Sequence, residues 1–506
     1  MTPEFTWDLL PHRVPGRGHT LLGPIIPHVQ YRQQSIEQLR ELARQPAVRT
    51  LIVHHAETIA KLLDCNLDPI CPILARLCAP LGRPSRDPFT LCRTTMLMNW
   101  QGFTEFEPWV DELRSHPLWA TLCGFEPEQV PGASTLRDFL RRLTRAWPPR
   151  SKIRKRRRSA KQRTATRRGQ KLPERRTGVV DRLLDWLPRR PPREDPLNEI
   201  LASFARASAD HVLIDLDHLV LVGDGTPIHS YTNPEGTRIC GHGRRQKCDC
   251  SRSFADPDAA WGWDSHNEDW FWGHHFYEIT ANTGAHELPL FLQRTAANRH
   301  DAASFVSAYI GFRNLHPLWR PQAFILDSAH DAEPIYLRLR QDGSLPIVDL
   351  NPGRKQEIPT PDPLHPPMDR AGVPVCPAGH RMAPNGTSRG RGIWSCPALR
   401  VRLGIQCDLP CKHKREYTTA ASFVRLFPGV LRGSPAWHEL YAKRTAVERS
   451  HKRKLRDFGH EFGRTRRVAF RFGLYAFAAY CQHVDAWFAH ANRTPAVLKE
   501  VLLDTA

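Results

Sequence analysis

The sequence predicts a mixed α/β core that follows an all-helical region and contains an irregular insertion. Residues 1–149 place apolar side chains at helical spacing, whereas residues 199–350 alternate short apolar runs of strand length with helical segments. A stretch rich in Pro, Gly and Cys, residues 351–430, precedes further helical sequence. This order of elements is typical of a sheet covered by helices, with an inserted segment before its last helices.

A chain of 506 residues and 57.9 kDa is long enough for several domains. Changes in composition predict where they begin and end. We expect a helical N-terminal domain over 1–149, a basic, Pro-rich linker or arm over 150–198, the first part of the core over 199–350, a Cys/His-containing insertion over 351–430, closing helices of the core over 431–490 and a C-terminal tail over 491–506.

In the N-terminal region, local signals predict where the helices begin. Ser35 starts a Ser-x-x-Gln capping pattern, and Thr135 precedes apolar residues at helical spacing. Both are therefore predicted to begin helices. Between them, we expect helices over Pro88–Trp100 and Phe103–Leu113.

In the core, apolar runs predict strands and periodic segments predict helices. The predicted strands are Leu219–Val222, His275–Thr280, Leu288–Gln293, Ala323–Leu326 and Pro346–Leu350. The predicted helices are Asp301–Leu315, Ala332–Leu339, one long helix over Pro435–Phe458 and a buried amphipathic helix over Val468–Trp487.

The formal charge of +20 favours a polyanionic partner such as nucleic acid or an acidic membrane surface. It is concentrated in two segments, with 14 Lys/Arg and one Glu over 150–177 and 11 Lys/Arg and three acids over 441–474. The first segment could be a solvated tether, or an arm that follows DNA phosphates.

The N-terminal sequence lacks a secretory signal, and Arg471, His483 and Asp485 interrupt the longest apolar segment. We therefore expect no membrane span.

The 13 cysteines, without an export signal, favour reduced thiols or metal sites over disulfides. The cytoplasm is the expected compartment.

Three acids are candidates for phosphodiester chemistry. Asp224 and Asp327 follow predicted strands, and Glu448 lies on a predicted helix. Three carboxylates can hold two Mg²⁺ ions roughly 3.5–4 Å apart, an arrangement that activates water and stabilises a leaving oxygen. Each acid also has a structural interpretation: Asp224 begins an Asp-Gly turn signal, Asp327 could cap a helix, and Glu448 could pair with Arg444 or Lys452.

The context of these acids resembles the DDE transposases of bacterial insertion sequences, in particular those with a Tyr/Arg/Glu/Lys signature. VGDGTPI contains the first acid, FILDSAHDAEPIY contains the second, and Tyr441, Arg444 and Glu448 match Tyr-x2-Arg-x3-Glu. The helical N-terminal region resembles that of the same enzymes. The family's Lys would fall at Leu455, so the sequence departs from the signature there.

The resemblance implies a ribonuclease-H-like core in which Asp224, Asp327 and Glu448 hold two Mg²⁺ or Mn²⁺ ions. It implies cleavage of phosphodiester bonds at element ends and transfer of the 3′-OH to target DNA. We expect a homodimer that pairs two DNA ends in a bacterial, nucleoid-associated setting. The expected DNA-binding residues are Tyr441, Arg444, Lys452, Lys454 and Arg456, together with Arg156, Arg157 and Arg158. On one continuous helix, His451 and Lys452 would share a face with Tyr441, Arg444 and Glu448.

The cysteines form two groups. In the insertion, Cys376, Cys396, Cys407 and Cys411 could form a structural Zn²⁺ site, with His380 and His413 as surplus ligands. Earlier in the chain, Cys240, Cys248 and Cys250 lie near His242 and could also bind zinc. Free thiols remain the alternative for both groups.

Three other functions remain open. The chain could be a degenerate or domesticated relative that binds DNA without cleaving it. It could instead be a zinc-containing nucleic-acid-binding protein whose acids are structural, or a related nuclease without strand transfer.

Overall fold

The computed structural model describes most of the chain. The described residues are 25–78, 85–144, 151–154, 178–190, 194–243, 246, 248–265, 267–351, 368–369, 372–409, 414–419, 424–425, 429–463, 465, 467–491 and 493–502.

The described helices and strands follow the mixed order that the sequence predicts. The helices are α1 (His28–Ala43), α2 (Pro46–His54), α3 (Ala56–Asp64), α4 (Cys71–Arg76), α5 (Pro88–Trp100), α6 (Phe106–Ser115), α7 (Pro117–Cys123), α8 (Ala133–Leu143), α9 (Val179–Trp186), α10 (Pro196–Asp210), α11 (Asp301–Leu315), α12 (Glu333–Gln341), α13 (Pro435–Ala442), α14 (Thr445–Lys452), α15 (Val468–Ala491) and α16 (Thr494–Leu502). The strands are β1 (Ile153–Arg154), β2 (Val220–His229), β3 (Thr237–Arg238), β4 (Arg252–Ser253), β5 (Ala260–Asp264), β6 (Asp269–Asn282), β7 (Glu287–Ala296), β8 (Ala323–Leu326), β9 (Leu345–Val348), β10 (Ala383–Ser388), β11 (Arg391–Ser395) and β12 (Arg415–Thr419).

The N-terminal helices form near the predicted positions, but three of their starts differ, and α6 begins at Phe106 instead of Phe103. Helix α5 has the predicted bounds because Asp87 caps it, accepting the backbone N–H of Phe89 at 2.9 Å. Helix α1 begins at His28, so Ser35 is buried inside the helix and does not cap it. Helix α8 begins after Gly132, two residues before the predicted cap.

Helices α1–α8 share one apolar core with α10, α15 and α16, and we call this arrangement the helical layer. Helix α16 lies within the predicted C-terminal tail. It packs against α1, and Arg40 donates two hydrogen bonds to the Glu500 carbonyl. The first and last described helices, α1 and α16, therefore contribute to a common core.

Helix α15 is buried on nearly all sides, so the amphipathic prediction for this segment was wrong. Its polar residues have protein partners instead of water. Asp485 accepts the indole N–H of Trp100 at 3.0 Å and pairs with Lys61 at 2.8 Å. His483 Nε2 lies 2.8 Å from the carbonyl oxygen of Pro289. No described helix is both long and apolar enough to cross a membrane.

The central sheet has the strand order β5-β6-β2-β8-β9, with β7 paired to β6. Strand β2 is antiparallel to β6 and parallel to β8, and β8 is parallel to β9. Alternate residues of β2 enter different cores. Leu221 packs with α11 and α12 on one face, whereas Val220 and Val222 pack with α13 and α14 on the other.

Parts of the predicted linker and insertion are ordered elements. In the linker, α9 packs against α11, and β1 pairs with β4. In the insertion, β10, β11 and β12 form a three-stranded antiparallel sheet around the buried Trp394. The mixed α/β prediction is confirmed.

Candidate carboxylate site at the edge of the sheet

Asp224 lies in the middle of β2, not at the end of a strand or in a hairpin turn as two of the interpretations required. Its glycine neighbours allow other side chains to approach the strand. A Cβ at Gly223 would lie 2.6 Å from the hydroxyl oxygen of Tyr277, and a Cβ at Gly225 would lie 2.9 Å from Asp301 Oδ1. The Gly-Asp-Gly sequence therefore reflects close packing on one face of the sheet.

Asp327 follows β8, as predicted, and lies beside Asp224. Gly223 pairs with Leu326 in the parallel ladder, so the next residue on each strand is one of the two acids. Neighbouring strands are about 4.8 Å apart, which brings the two carboxylates to the same edge of the sheet. Asp327 also caps the short turn that follows, because its side chain accepts the N–H of Ala329 at 3.0 Å.

His330 connects Asp327 to the interior. Its Nδ1 lies 2.5 Å from Asp327 Oδ1, and its Nε2 lies 2.8 Å from the hydroxyl of Tyr277. Burial would lower the pKa of His330, but the hydrogen bond and charge of Asp327 raise it above its usual value. Burial would likewise raise the pKa of Asp327, but His330 lowers it. The pair therefore favours an imidazolium beside a carboxylate.

The environment of Asp224 is different. Burial, followed by repulsion from the Asp327 carboxylate, raises the pKa of Asp224 to about 7. The backbone N–H of Gly225 donates to its Oδ1 at 2.8 Å, and Oδ2 lies 3.7 Å from the guanidinium of Arg444. Two neighbouring carboxylates thus differ in protonation, as expected when like charges share a site.

Glu448 lies on α14. The prediction of one long helix over Pro435–Phe458 was wrong. Helix α13 ends at Ala442, and α14 begins at Thr445, so Arg444 lies at the break between them. The Arg444 guanidinium contacts Glu448 Oε1 at 2.5 Å and Asp224 Oδ2 at 3.7 Å. The carboxylates of Asp224 and Glu448 therefore lie on either side of one guanidinium, and 47% of the Glu448 side chain is exposed.

The break also separates the residues expected on one helix face. Tyr441 is half-buried and stacks on Trp437, with ring centroids 5.9 Å apart. His451 is buried, with Nδ1 2.6 Å from the hydroxyl of Tyr475. Lys452 is exposed, and its contact with DNA remains a prediction.

The prediction that Lys454 contacts DNA was wrong. Its side chain is fully buried and cannot reach a phosphate. Its ammonium lies 2.9 Å from Glu278 Oε2 and donates to Ser450 Oγ at 2.7 Å. Burial lowers the pKa of Lys454 to about 8, and its charge lowers the pKa of Glu278 despite the burial of that carboxylate. Arg456, two residues further along, is exposed.

Two further acids lie at this site and were missed. Asp301, the first residue of α11, has Oδ1 3.4 Å from His275 Nδ1, and its charge contributes to the raised pKa of Asp224. Asp349 follows β9, where Val348 pairs with Leu326, so it continues the row formed by Asp224 and Asp327. The predicted strand Pro346–Leu350 included Asp349, whereas the observed β9 ends at Val348. The strand-end signal that identified Asp327 was therefore hidden for Asp349, because the strand was predicted two residues too long.

The donor set of this site suits a hard divalent cation. Carboxylate oxygens are the ligands that Mg²⁺ prefers. Burial, followed by repulsion from Asp327, raises the pKa of Asp224, and a bound divalent cation would relieve that repulsion. Within the described residues, Asp224, Asp327 and Glu448 do not form a group of ligand atoms within 4.8 Å of one another. The Arg444 guanidinium lies between two of them.

The remaining expected site residues lie elsewhere or outside the described part of the chain. Arg156, Arg157, Arg158 and Cys411 are outside the described residues. Cys376 and Cys396 are buried and Cys407 is partly buried, but among the described residues these three thiols do not belong to a group of three or more ligand atoms within 4.8 Å. Zinc binding by the insertion remains a prediction.

Residues 49–142 match the sequence family described as Transposase domain (DUF772). The matched segment extends from α2 to α8, within the helical layer. The match supports a transposase, a class of DNA-processing enzymes that bind DNA. No curated protein sequence matches the chain.

Proposed function

We propose that the chain is a DDE-type DNA transposase with a ribonuclease-H-like core. The observation that carries the proposal is the pairing of Gly223 with Leu326, which places Asp224 and Asp327 side by side, while Arg444 links Asp224 to Glu448. The transposase-domain match in residues 49–142 supports the same class from a different part of the chain.

The sheet topology supports the ribonuclease-H-like assignment. Three antiparallel strands, β2, β6 and β7, are followed by β8 and β9, which lie parallel to β2 on its other side. This is the order of a three-strand meander, a helix and two further parallel strands that we expect for such a core. Helix α14 then covers the face of β2 that bears Asp224.

Asp224, Asp327 and Glu448 would hold two Mg²⁺ or Mn²⁺ ions. When bound, these ions supply positive charge at the phosphate and activate a nucleophilic oxygen. The neighbouring side chains determine the protonation of these carboxylates. His330 keeps Asp327 ionised and orients its Oδ1, whereas Asp224 must lose its proton before it can bind a cation. Water would attack the phosphodiester at an element end and release a 3′-OH. That 3′-OH would then attack a phosphodiester of target DNA and displace the 3′ oxygen of the cut target strand.

DNA would approach the exposed side of α13 and α14. Arg444 and Lys452 provide cations there, and the exposed Arg456 provides another just beyond α14. The half-buried Tyr441 provides a hydroxyl. Arg444 would exchange its carboxylate partners for a DNA phosphate. The basic segment that includes Arg156–Arg158 would bind phosphates non-specifically. We expect a homodimer to hold two DNA ends.

A second candidate is a relative that binds DNA without cleaving it. The ion pair between Arg444 and Glu448 favours this alternative, because it occupies one of the three carboxylates. So does Leu455, which packs against the helical layer at the position of the signature Lys.

The test uses the full-length protein and duplex DNA containing the sequences that flank its gene. With Mg²⁺, the wild type should bind and nick this DNA at the element end. Asp224→Asn, Asp327→Asn and Glu448→Gln should retain binding in a mobility-shift assay but lose cleavage by more than about 100-fold, since even outer-shell partners of a metal contribute roughly 10–100-fold.

Asp217→Asn provides a matched control, because it removes the same charge from an exposed position before β2. Cleavage by the three variants at the wild-type rate would refute the assigned carboxylates. A wild type that binds the flanking DNA but cleaves it with neither Mg²⁺ nor Mn²⁺ would instead favour the second candidate.

A further inference from the structure

Outside the carboxylate site, the loop between β3 and β4 brings together four side chains of types that can ligate a metal. Cys240, His242, Cys248 and Cys250 follow the spacing Cys-x-His-x5-Cys-x-Cys. Each offers one ligand atom, and all four atoms lie within 4.8 Å of one another. Ligands from both sides of the loop therefore converge on one point.

Two distances in this group match the edges of a zinc tetrahedron. With Zn–S near 2.3 Å and Zn–N near 2.0–2.1 Å, tetrahedral geometry requires about 3.8 Å between two sulfurs and about 3.6 Å between sulfur and nitrogen. Cys240 Sγ lies 3.6 Å from Cys248 Sγ, and Cys250 Sγ lies 3.5 Å from His242 Nδ1. A disulfide would require roughly 2.05 Å between the sulfurs.

The ligand types select the metal. Three thiols and one imidazole are poor partners for Mg²⁺ or Ca²⁺, which prefer oxygen, and they suit Zn²⁺. Four protein ligands also complete the coordination of zinc, as in structural sites, and leave no position for a substrate. We propose that Cys240, His242, Cys248 and Cys250 bind one structural Zn²⁺ ion.

The surrounding fold explains why a metal is useful here. Strands β3 and β4 have two residues each, and a hairpin this short is at best marginally stable without additional links. β4 also pairs with β1, and the backbone N–H of Phe254 donates to the Lys152 carbonyl at 2.9 Å. The ion would thus stabilise the small sheet whose strand β1 belongs to the basic segment 150–177.

Zinc content measured on the full-length protein tests the proposal. Protein is produced with supplemented zinc, purified under reducing conditions without chelator, and its zinc per chain is measured by elemental mass spectrometry. Cys248→Ser/Cys250→Ser should contain one zinc ion fewer than the wild type. Cys78→Ser, which removes a partly buried thiol outside the group, should contain the same amount as the wild type. The difference between proteins is the readout, because the insertion could hold zinc of its own.

Variants of His242 test whether this side chain ligates the metal or only supports the loop. His242→Cys should retain the zinc ion, whereas His242→Ala should release it at a lower chelator concentration. In Co²⁺-loaded protein, the visible absorption of tetrahedral thiolate-bound cobalt should decrease in Cys248→Ser/Cys250→Ser and persist in His242→Cys.

Two results would overturn the proposal. One is a Cys248→Ser/Cys250→Ser protein with undiminished zinc. The other is a zinc-free wild type whose mass shows a disulfide within the group. Hydrogen exchange addresses misfolding of the variants: exchange should accelerate over residues 237–254 and remain unchanged in β2 and β6. Faster exchange throughout the central sheet would show that the double variant is misfolded. In that case, the zinc content of His242→Cys and His242→Ala would decide whether the proposal holds.

Discussion

Replacing Asp224 by Asn should stabilise the protein, and the gain should grow with pH. Folding places this carboxylate beside Asp327 and Asp301, where burial and repulsion raise its pKa from 3.8 to about 7. Asn has nearly the same shape and can still accept the Gly225 N–H through its amide oxygen. The substitution therefore removes an unfavourable charge with little change in packing.

The sign follows from linkage. Because the folded pKa is higher than the unfolded one, protonated Asp224 favours the folded state, and this contribution is fully present below pH 3.8. It is lost as the pH rises to about 7. A shift of roughly 3 pKa units at about 1.4 kcal/mol per unit sets a ceiling near 4 kcal/mol. The 19% exposure of the side chain and its contact with Arg444 make the expected gain smaller than this ceiling.

The assay is thermal or urea unfolding of the full-length protein in EDTA at pH 5, 6, 7 and 8. The midpoint for Asp224→Asn should exceed that of the wild type by an amount that increases from pH 5 to pH 7 and is constant above it. Asp217→Asn, at an exposed position, should show no such trend. Adding Mg²⁺ at pH 8 should raise the wild-type midpoint and leave that of Asp224→Asn almost unchanged.

An equal gain at pH 5 and pH 8, or a loss at every pH, would refute the electrostatic account of this site. Stabilisation that grows with pH while Mg²⁺ affects both proteins equally would support the charge repulsion but contradict the assignment of Asp224 as a metal ligand.

Two further predictions concern the cationic segments. Lys454→Ala should lower the free energy of unfolding by about 3–5 kcal/mol, because it leaves the Glu278 carboxylate buried without its ion-pair partner. Urea unfolding should show this loss, and the double variant Glu278→Gln/Lys454→Met should recover most of it. Lys452→Ala, at a nearby exposed position, should change the free energy of unfolding little. Replacing Arg156–Arg158 by Ala should reduce the magnitude of the slope of log affinity for duplex DNA against log salt concentration by up to about 3, because each phosphate contact contributes roughly 0.9. An unchanged slope in fluorescence titrations would contradict a DNA-binding role for these arginines.

Local sequence was sufficient wherever a cap or a strand end determined the structure. The bounds of α5, α11 and β8 match the predictions, because Asp87 caps α5, His300 caps α11, and the four apolar residues of β8 are buried. The order of strands and helices around Asp327 could therefore be read from the chain alone.

Elements whose state depends on distant partners were not predictable in this way. An Asp-Gly pair favours a turn locally, but β2 continues through Asp224 because β6 pairs with it on one side and β8 lies on the other. Likewise, a cationic helix suggests a solvated face, yet Lys454 is buried because Glu278, 176 positions earlier, lies opposite it.

The sequence by itself determined the mixed α/β class, the position of Asp327 directly after β8, and the division of charge into two basic segments. These features depend on residue type and short-range spacing. Only the tertiary structure decided that Asp301 and Asp349 join the site, that His330 and Arg444 contact its carboxylates, and that four ligands of one loop converge. Those outcomes depend on which side chains meet after residues far apart in sequence are buried together, and burial also determines which of the acids keeps its proton.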